Sequence, residues 1–270
     1  MSATIHIIAA TNTCAPVAKT GCAACALKQL CLPVGLDDSQ IGLLDKIIGR
    51  RRKVARDEPL FRMDEPFRNL YAIRLGHFKT HQLNAQGQEQ VTGFQMAGEL
   101  LGMDAIGAGR HHCGAVALED SEVCEIPFER LEQLFGEVPR LAQQFHRIMS
   151  QEIMREQTVM QLLGRMRAEQ RFATFLLNLS LRYAARGYSP ARFHLRMSRE
   201  EIGNYLGLTI ESISRLLSKF KAAGLIKIGN RDVEIVDRAT MQAMASGVPA
   251  QPLAPAQGAQ AMPKRAYALA

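Results

Sequence analysis

No window of this 270-residue chain reaches the roughly 18 consecutive apolar residues that a membrane-spanning helix needs. The opening residues, Met1-Ser2-Ala3-Thr4-Ile5-His6-Ile7-Ile8, lack the basic start, sustained apolar core and small-residue cleavage site of a secretory signal. A cytoplasmic protein is therefore expected, with no membrane partner. No Gly-rich nucleotide loop stands in a β-α-β context and no nucleophile is paired with a base, so nothing marks the chain as an enzyme. In a reducing compartment its six cysteines read as reactive, metal-bound or buried rather than disulfide-paired.

What is present is ordinary globular composition, 47% hydrophobic and 22% charged, at a length that suggests about two domains. Lys and Arg number 33 against 26 Asp and Glu, a net charge of +7, which favours a polyanionic partner.

Shifts of pattern divide the chain. Residues 1–53 are rich in cysteine and then helical, ending in Arg50-Arg51-Arg52-Lys53, which reads as a solvated helix end. Residues 54–137 carry short apolar runs bounded by Gly, Pro and Asn, such as Leu70-Tyr71-Ala72-Ile73-Arg74-Leu75, Ala115-Val116-Ala117-Leu118 and Val123-Cys124-Glu125-Ile126. Short strands at that spacing predict an all-β sandwich or barrel. Residues 138–167 have helical periodicity with two stripes, Leu141, Phe145, Ile148, Val159, Leu162 and Met166 on one, and Ala142, Met149, Ile153, Glu156, Met160 and Leu163 on the other. One face is expected to cover the β region and the other to pair with the same helix of a second subunit. Residues 168–245 form a compact helical segment closed by a hairpin. Residues 246–270, rich in Ala, Pro and Gln without apolar period, read as disordered.

Ser198-Arg199-Glu200-Glu201 has the form of a capping box, the helix it opens stops at Gly207, and Thr209 can cap a second helix. Helix, glycine turn and helix make a helix-turn-helix. On the second helix Ile213, Leu216, Leu217 and Phe220 share the inward face, which leaves Glu211, Ser214 and Arg215 outward near the N-terminal end, where a recognition helix meets the major groove. Arg can bond guanine O6 and N7 while Glu accepts from cytosine N4, so the pair suits a G·C step. Leu225 to Ile235 reads as a hairpin turning at Gly229-Asn230, the wing of a winged helix. Residues 165–231 hold 13 Lys/Arg against 4 Asp/Glu, a net +9 that leaves −2 for the rest of the chain. The basic excess sits with the DNA reader.

Cys22-x2-Cys25-x5-Cys31 places three thiols where a short loop can wrap one metal centre, zinc or iron–sulfur. Spacing leaves the fourth ligand open among Cys14, Cys113 and Cys124. No second cluster motif occurs, which argues against an iron–sulfur redox enzyme.

A cysteine loop, strand-rich body, long helix and winged helix in this order resemble the Crp/Fnr family of bacterial transcription regulators, in particular its oxygen-sensing branch. The likeness runs over about residues 20–240 and is carried by Cys22 to Pro33, Leu70 to Arg74, Asp104-Ala105-Ile106-Gly107, Val123 to Glu129 and Ile202-Gly203-Asn204-Tyr205-Leu206-Gly207-Leu208-Thr209. It implies an α+β fold: an N-terminal cysteine loop, an antiparallel β-roll of the cyclic-nucleotide-binding kind, a long dimerisation helix and a C-terminal winged helix-turn-helix. It further implies that Cys22, Cys25, Cys31 and Cys124 hold one oxygen-labile [4Fe–4S] cluster per subunit, with Cys14 and Cys113 free. Glu211, Ser214 and Arg215 match the family's base readers and imply a two-fold operator of TTGAT/ATCAA type on double-stranded DNA. RNA polymerase is the implied protein partner, with the turn from Asn84 to Gln88 a contact by position. In the family a Gly-Glu-Leu segment and an Arg-Ser or Arg-Thr pair hold a cyclic nucleotide. Gly98-Glu99-Leu100 is present, but His111-His112 occupies the phosphate position with Arg110 one place early, so no cyclic nucleotide is expected and the histidines read as surface loop residues. The alternative is a cyclic-nucleotide- or zinc-dependent regulator with the same reader.

Glu156 lies within the second stripe, so in a two-fold dimer it approaches its own mate. Two carboxylates about 8 Å apart at an effective dielectric of about 20–80 repel by roughly 0.5–2 kcal/mol. That shifts dimer affinity by roughly two- to thirtyfold. The expectation is a homodimer when the cluster is held, mostly monomer when it is lost, and DNA binding gated by that step.

Overall fold

A computed structural model describes residues 21–247. They divide into two compact units within one long helix, after Glu156. The expectations for Cys14 and for residues 248–270 of the tail lie outside the described residues.

The first unit opens with a 3-10 turn at Cys22–Ala24, followed by α1 (Asp38–Ile47). Asp37 starts α1 by a reciprocal cap: its carboxylate accepts the Gln40 N–H at 2.9 Å, and its own N–H donates to the Gln40 side chain. Eight strands follow: β1 (Arg50–Val54), β2 (Pro59–Phe61), β3 (Asn69–Leu75), β4 (His77–Leu83), β5 (Glu89–Met96), β6 (Leu100–Leu101), β7 (Gly114–Ala117) and β8 (Ser121–Pro127). They form two antiparallel four-stranded sheets, ordered β1-β8-β3-β6 and β2-β7-β4-β5. This is the β-roll.

Strand β3 shows how the roll is built. Leu70, Tyr71, Ala72 and Ile73 are all buried because both faces of the strand are covered. Tyr71 and Ile73 point inward to a core with Phe61, Phe78, Leu101 and Val123. Leu70 and Ala72 point outward, with Leu100 and Ile126, to a second core supplied by helices. Each fully buried large side chain contributes about 1.5–3 kcal/mol. The outer core receives Leu44 of α1, Leu131 and Leu134 of α2 (Phe128–Glu137), and Leu141 and Phe145 of α3 (Pro139–Arg165). Cys124 pairs with Ala72 across the β8–β3 ladder, so it faces this outer, helical layer.

Arg50-Arg51-Arg52-Lys53 is not a helix end. α1 finishes at Ile47, and the basic run is β1, paired antiparallel with β8 from Arg50↔Glu125 to Val54↔Ser121. Partners distant in sequence override the local charge pattern. Arg50 Nε reaches Glu125 Oε2 at 2.6 Å, and Arg52 donates to the Leu60 carbonyl at 3.2 Å.

In the second unit α4 (Ala168–Ala185), α5 (Arg199–Leu206), α6 (Ile210–Ala222) and α7 (Arg238–Ala245) accompany a three-stranded sheet ordered β10 (Ile226–Gly229), β11 (Asp232–Ile235), β9 (Arg192–His194). Its core holds Phe172, Leu176, Ile202, Leu206, Ile213, Leu217, Phe220 and Val233, each under 5% exposed. Gly229 pairs with Asp232, so the wing turns at Asn230-Arg231, one residue later than expected, with Asn230 taking the left-handed conformation at φ 56°. Among the described residues no helix is long and apolar enough to cross a membrane.

Candidate functional site

The cysteine loop is a run of tight turns. Main-chain bonds from Cys25 to Cys22, Lys28 to Cys25, Leu30 to Leu27 and Val34 to Cys31 coil it without regular helix. Two of the contacts that pin it to the body involve Cys22 and Leu30. Asp45 of α1 accepts the Cys22 N–H at 2.7 Å. Leu30 lies against Gly98, where an added Cβ would stand 2.9 Å from the Leu30 Cβ and where φ is +90°, so both space and backbone demand glycine there.

Cys22, Cys25, Cys31 and Cys124 line one cavity of about 30 Å³, walled by Leu27, Leu32, Pro33, Leu44, Ile48, Ala72 and Ile126, with Lys28 and Arg74 also in its lining. Cys113 is elsewhere. It is buried in the inner core of the roll, its thiol 3.4 Å from Asp104. The described cysteines form no disulfide.

Burial pushes the Cys22 thiol well up, and the Asp45 carboxylate and the neighbouring thiols of Cys31 and Cys124 add to it. Burial likewise pushes Cys31 up to about 12. Cys124 is raised by burial, with Arg51 and Arg74 pulling the other way. Burial thus favours the protonated thiol at Cys22, Cys31 and Cys124. A metal centre binding here displaces their protons.

Four sulfur donors and apolar walls are a chemistry that fits an iron–sulfur cluster. Among the described residues no three His, Cys, Asp or Glu side chains stand close enough together to hold a single metal ion.

The helix-turn-helix is built from local caps and close packing. Ser198 accepts the Glu201 N–H at 3.1 Å while Glu201 accepts that of Ser198 at 2.7 Å, which starts α5. Gly207 ends it in the left-handed conformation. An added Cβ at Gly203 would stand 2.7 Å from the Leu208 carbonyl, so the turn between α5 and α6 is close-packed. Thr209 caps α6 on the Ser212 N–H at 3.2 Å. Ile213, Leu216, Leu217 and Phe220 are buried, while Glu211 and Arg215 are exposed and Ser214 half-buried. Main-chain and Thr209 hydroxyl donors at the helix start hold Glu211 below the usual carboxylate range. It therefore stays ionised and can only accept hydrogen bonds.

Behind this element, Arg171 donates to three carbonyls: Met166 at 3.0 Å, Leu206 at 2.9 Å and Leu163 at 2.9 Å. Leu206 ends α5 and Leu163 belongs to the last turn of α3. Sequence reasoning gave Arg171 no role, because nothing local distinguishes it from other helix-surface arginines.

Along α3 the second apolar stripe is unevenly buried. Met149 packs partly against the outer core of the roll. Ile153 is 52% and Met160 66% exposed, with Glu156 exposed between them. Leu163 is half-buried.

At the Gly98-Glu99-Leu100 segment, Arg155 Nη2 of α3 lies 3.5 Å from Glu99 Oε1, and Glu99 Oε2 accepts the Met96 N–H at 3.1 Å. His111 is not a surface residue. It is 2% exposed and stacks on Phe61 with ring centroids 3.8 Å apart; apolar burial of a ring in a loop leaves no local trace in sequence. His112 is exposed, and Arg110 donates to the Asp64 carbonyl at 2.7 Å.

Comparison with known proteins supplies the context. A Crp-like helix-turn-helix domain model matches residues 170–244, and a cyclic nucleotide-binding domain model matches residues 51–137. The chain is 47% identical over 216 residues to the transcriptional regulatory protein btr of Bordetella pertussis, covering 80% of this chain and 89% of that one. It is 46% identical over 224 residues to the fumarate and nitrate reduction regulatory protein of Salmonella typhimurium, covering 83% and 90%. The solved structure of FixK2 from Bradyrhizobium japonicum superposes with a TM-score of 0.66 at 29% identity, over 72% of this chain and 96% of that one.

Proposed function

This chain belongs to the Crp/Fnr family of transcription regulators and is not an enzyme, and on that premise we propose that it is an oxygen-responsive regulator whose cysteine site decides when it binds DNA. The observation that carries this reading is the convergence of Cys22, Cys25, Cys31 and Cys124 on one apolar cavity, with Cys113 facing a different core.

In this reading those four thiolates hold a [4Fe–4S] cluster, one per subunit. Bound there, such a cluster supplies a redox-labile cross-link that oxygen destroys. The chain's own residues supply the rest. Cys124 lies on β8, in the sheet that the outer core joins to the start of α3, so a cross-link from the loop to Cys124 bears on the layer that contains Leu141, Phe145 and Met149. The exposed stripe Ile153, Glu156 and Met160 is the surface offered to a second subunit, and the Glu156 pair opposes that association. A two-fold operator engages two recognition helices, so dimerisation gates binding. Arg215 and Glu211 then read a G·C pair within a TTGAT/ATCAA-type half-site, and Ser214 lies beside them.

The matched domain in residues 51–137 raises a cyclic nucleotide as the signal. Three features of this roll oppose it: Arg155 holds Glu99, Asp64 engages Arg110, and His111 is stacked on Phe61. RNA polymerase is the proposed protein partner, and the tight turn from Asn84 to Gln88, closed by a 3.0 Å main-chain bond, is the surface proposed to meet it.

The reading is tested by anaerobic purification followed by iron analysis of single Cys→Ser variants. Loss of iron on substitution of Cys22, Cys25, Cys31 or Cys124, and retention in Cys113→Ser, is expected. Iron retained in Cys124→Ser, or none in the wild type, counts against it.

A further inference from the structure

The lining of the cysteine cavity includes cations that its apolar walls do not require. Arg74 lines it from β3, Lys28 lines it from the loop, and Arg51 stands directly opposite Cys124 in the β1–β8 ladder. Arg74 is fixed in place. Its Nη1 donates to Glu122 Oε1 at 2.6 Å, and the two side chains are 28% and 16% exposed. The β3–β8 register shifts between Ile73 and Leu75, so Arg74 and Leu75 together face Glu122. A bulge of this kind aims a side chain and recurs beside functional sites. The Arg74 charge interacts with both Cys25 and Cys124.

Four thiolates bring more negative charge than an iron–sulfur core in its common oxidation states brings positive, so the whole centre is an anion. A fixed cation in a partly desolvated wall acts on such a centre with little screening. The geometry points to Arg74, held by Glu122, as a positioning residue for an anionic centre bound by the four cysteines, a fixed charge that favours the more reduced, more negative form of that centre. Glu122, on the same face and two residues before Cys124, acts with the opposite sign. This inference rests on the cluster reading above.

The test uses the full chain, reconstituted with ferrous iron and sulfide without oxygen, as wild type, R74Q, R74K and E122Q. Iron per chain is counted and the midpoint potential is measured by spectroelectrochemistry. R74Q is expected to shift the reduced-to-oxidised ratio at fixed potential three- to tenfold toward the oxidised form, up to about 59 mV for a one-electron couple. R74K restores most of that shift, and E122Q moves the potential the other way. Opposite signs separate charge from structure, since a merely structural role shifts R74Q and E122Q together. Shifts in the same direction, or no shift in either variant, overturn the inference. If R74Q fails to fold by circular dichroism, R74K and E122Q decide alone, and an unmoved E122Q potential overturns it. A wild type that takes up no iron overturns the cluster reading itself, and is told apart because the failure then precedes any substitution.

Discussion

Asp45 accepts the main-chain N–H of Cys22 at 2.7 Å and stands beside its thiol. One carboxylate on α1 thus fixes the first turn of the cysteine loop across 23 residues of sequence. Asp45→Ala removes a charged acceptor from a half-buried donor, at a cost of about 1–2 kcal/mol. Faster proteolysis between Gly21 and Pro33 and lower iron retention are expected, with Asp45→Asn intermediate. Wild-type proteolysis rates in Asp45→Ala would show that this bond does not hold the loop.

Arg171 is expected to matter more for stability than its surface position suggests. Truncation to Ala leaves the carbonyls of Leu163, Met166 and Leu206 without their shared donor. Three charge-assisted bonds in a half-buried setting predict a loss of about 2–4 kcal/mol. Urea unfolding of the full chain, followed at helical wavelengths, checks it. A loss under about 0.5 kcal/mol, the range of an ordinary surface substitution, contradicts it.

The reader residues predict a split in DNA binding. Arg215→Ala is expected to weaken operator binding by about 1–3 kcal/mol and to relax discrimination at one G·C pair. Glu211→Ala is expected to relax the same pair with a smaller loss of affinity, since it removes no phosphate contact. Fluorescence anisotropy on operators permuted at each position measures both. Uniform weakening across all sequences would reassign Arg215 to phosphate contact.

Glu156 is exposed between Ile153 and Met160. In the proposed two-fold pairing, replacing it with Ala is expected to remove a repulsion of roughly 0.5–2 kcal/mol per pair. The iron-free chain should then dimerise two- to thirtyfold more tightly by sedimentation velocity. An unchanged monomer fraction places the carboxylate away from its mate.

What was legible in the sequence is what local chemistry specifies. The reader's limits follow from Ser198, Glu201, Gly207 and Thr209, whose capping and left-handed roles depend on neighbours within four residues. The Cys22, Cys25 and Cys31 triplet was visible for the same reason. Other features depend on pairing over long range. Arg50 to Lys53 form a strand only because β8 is there to receive them. Cys124 meets the loop only because its register with Ala72 turns it outward. Helix α2 was also missed, although Leu131 and Leu134 carry its apolar spacing, because it is a short segment between the last strand and the long helix. The burial of His111 against Phe61 and the triple engagement of Arg171 leave no trace that sequence spacing could reveal.

Whether iron held by the four cysteines governs DNA binding is tested by one paired measurement on one sample. Oxygen-free full-length protein is titrated onto a duplex carrying TTGAT and ATCAA half-sites, its iron is counted, and the same sample is titrated again after exposure to air. About four irons per chain and specific binding are expected at first, then loss of iron with a fall in operator affinity of about 10³-fold or more, toward the non-specific level. Operator affinity that survives the loss of iron contradicts such control.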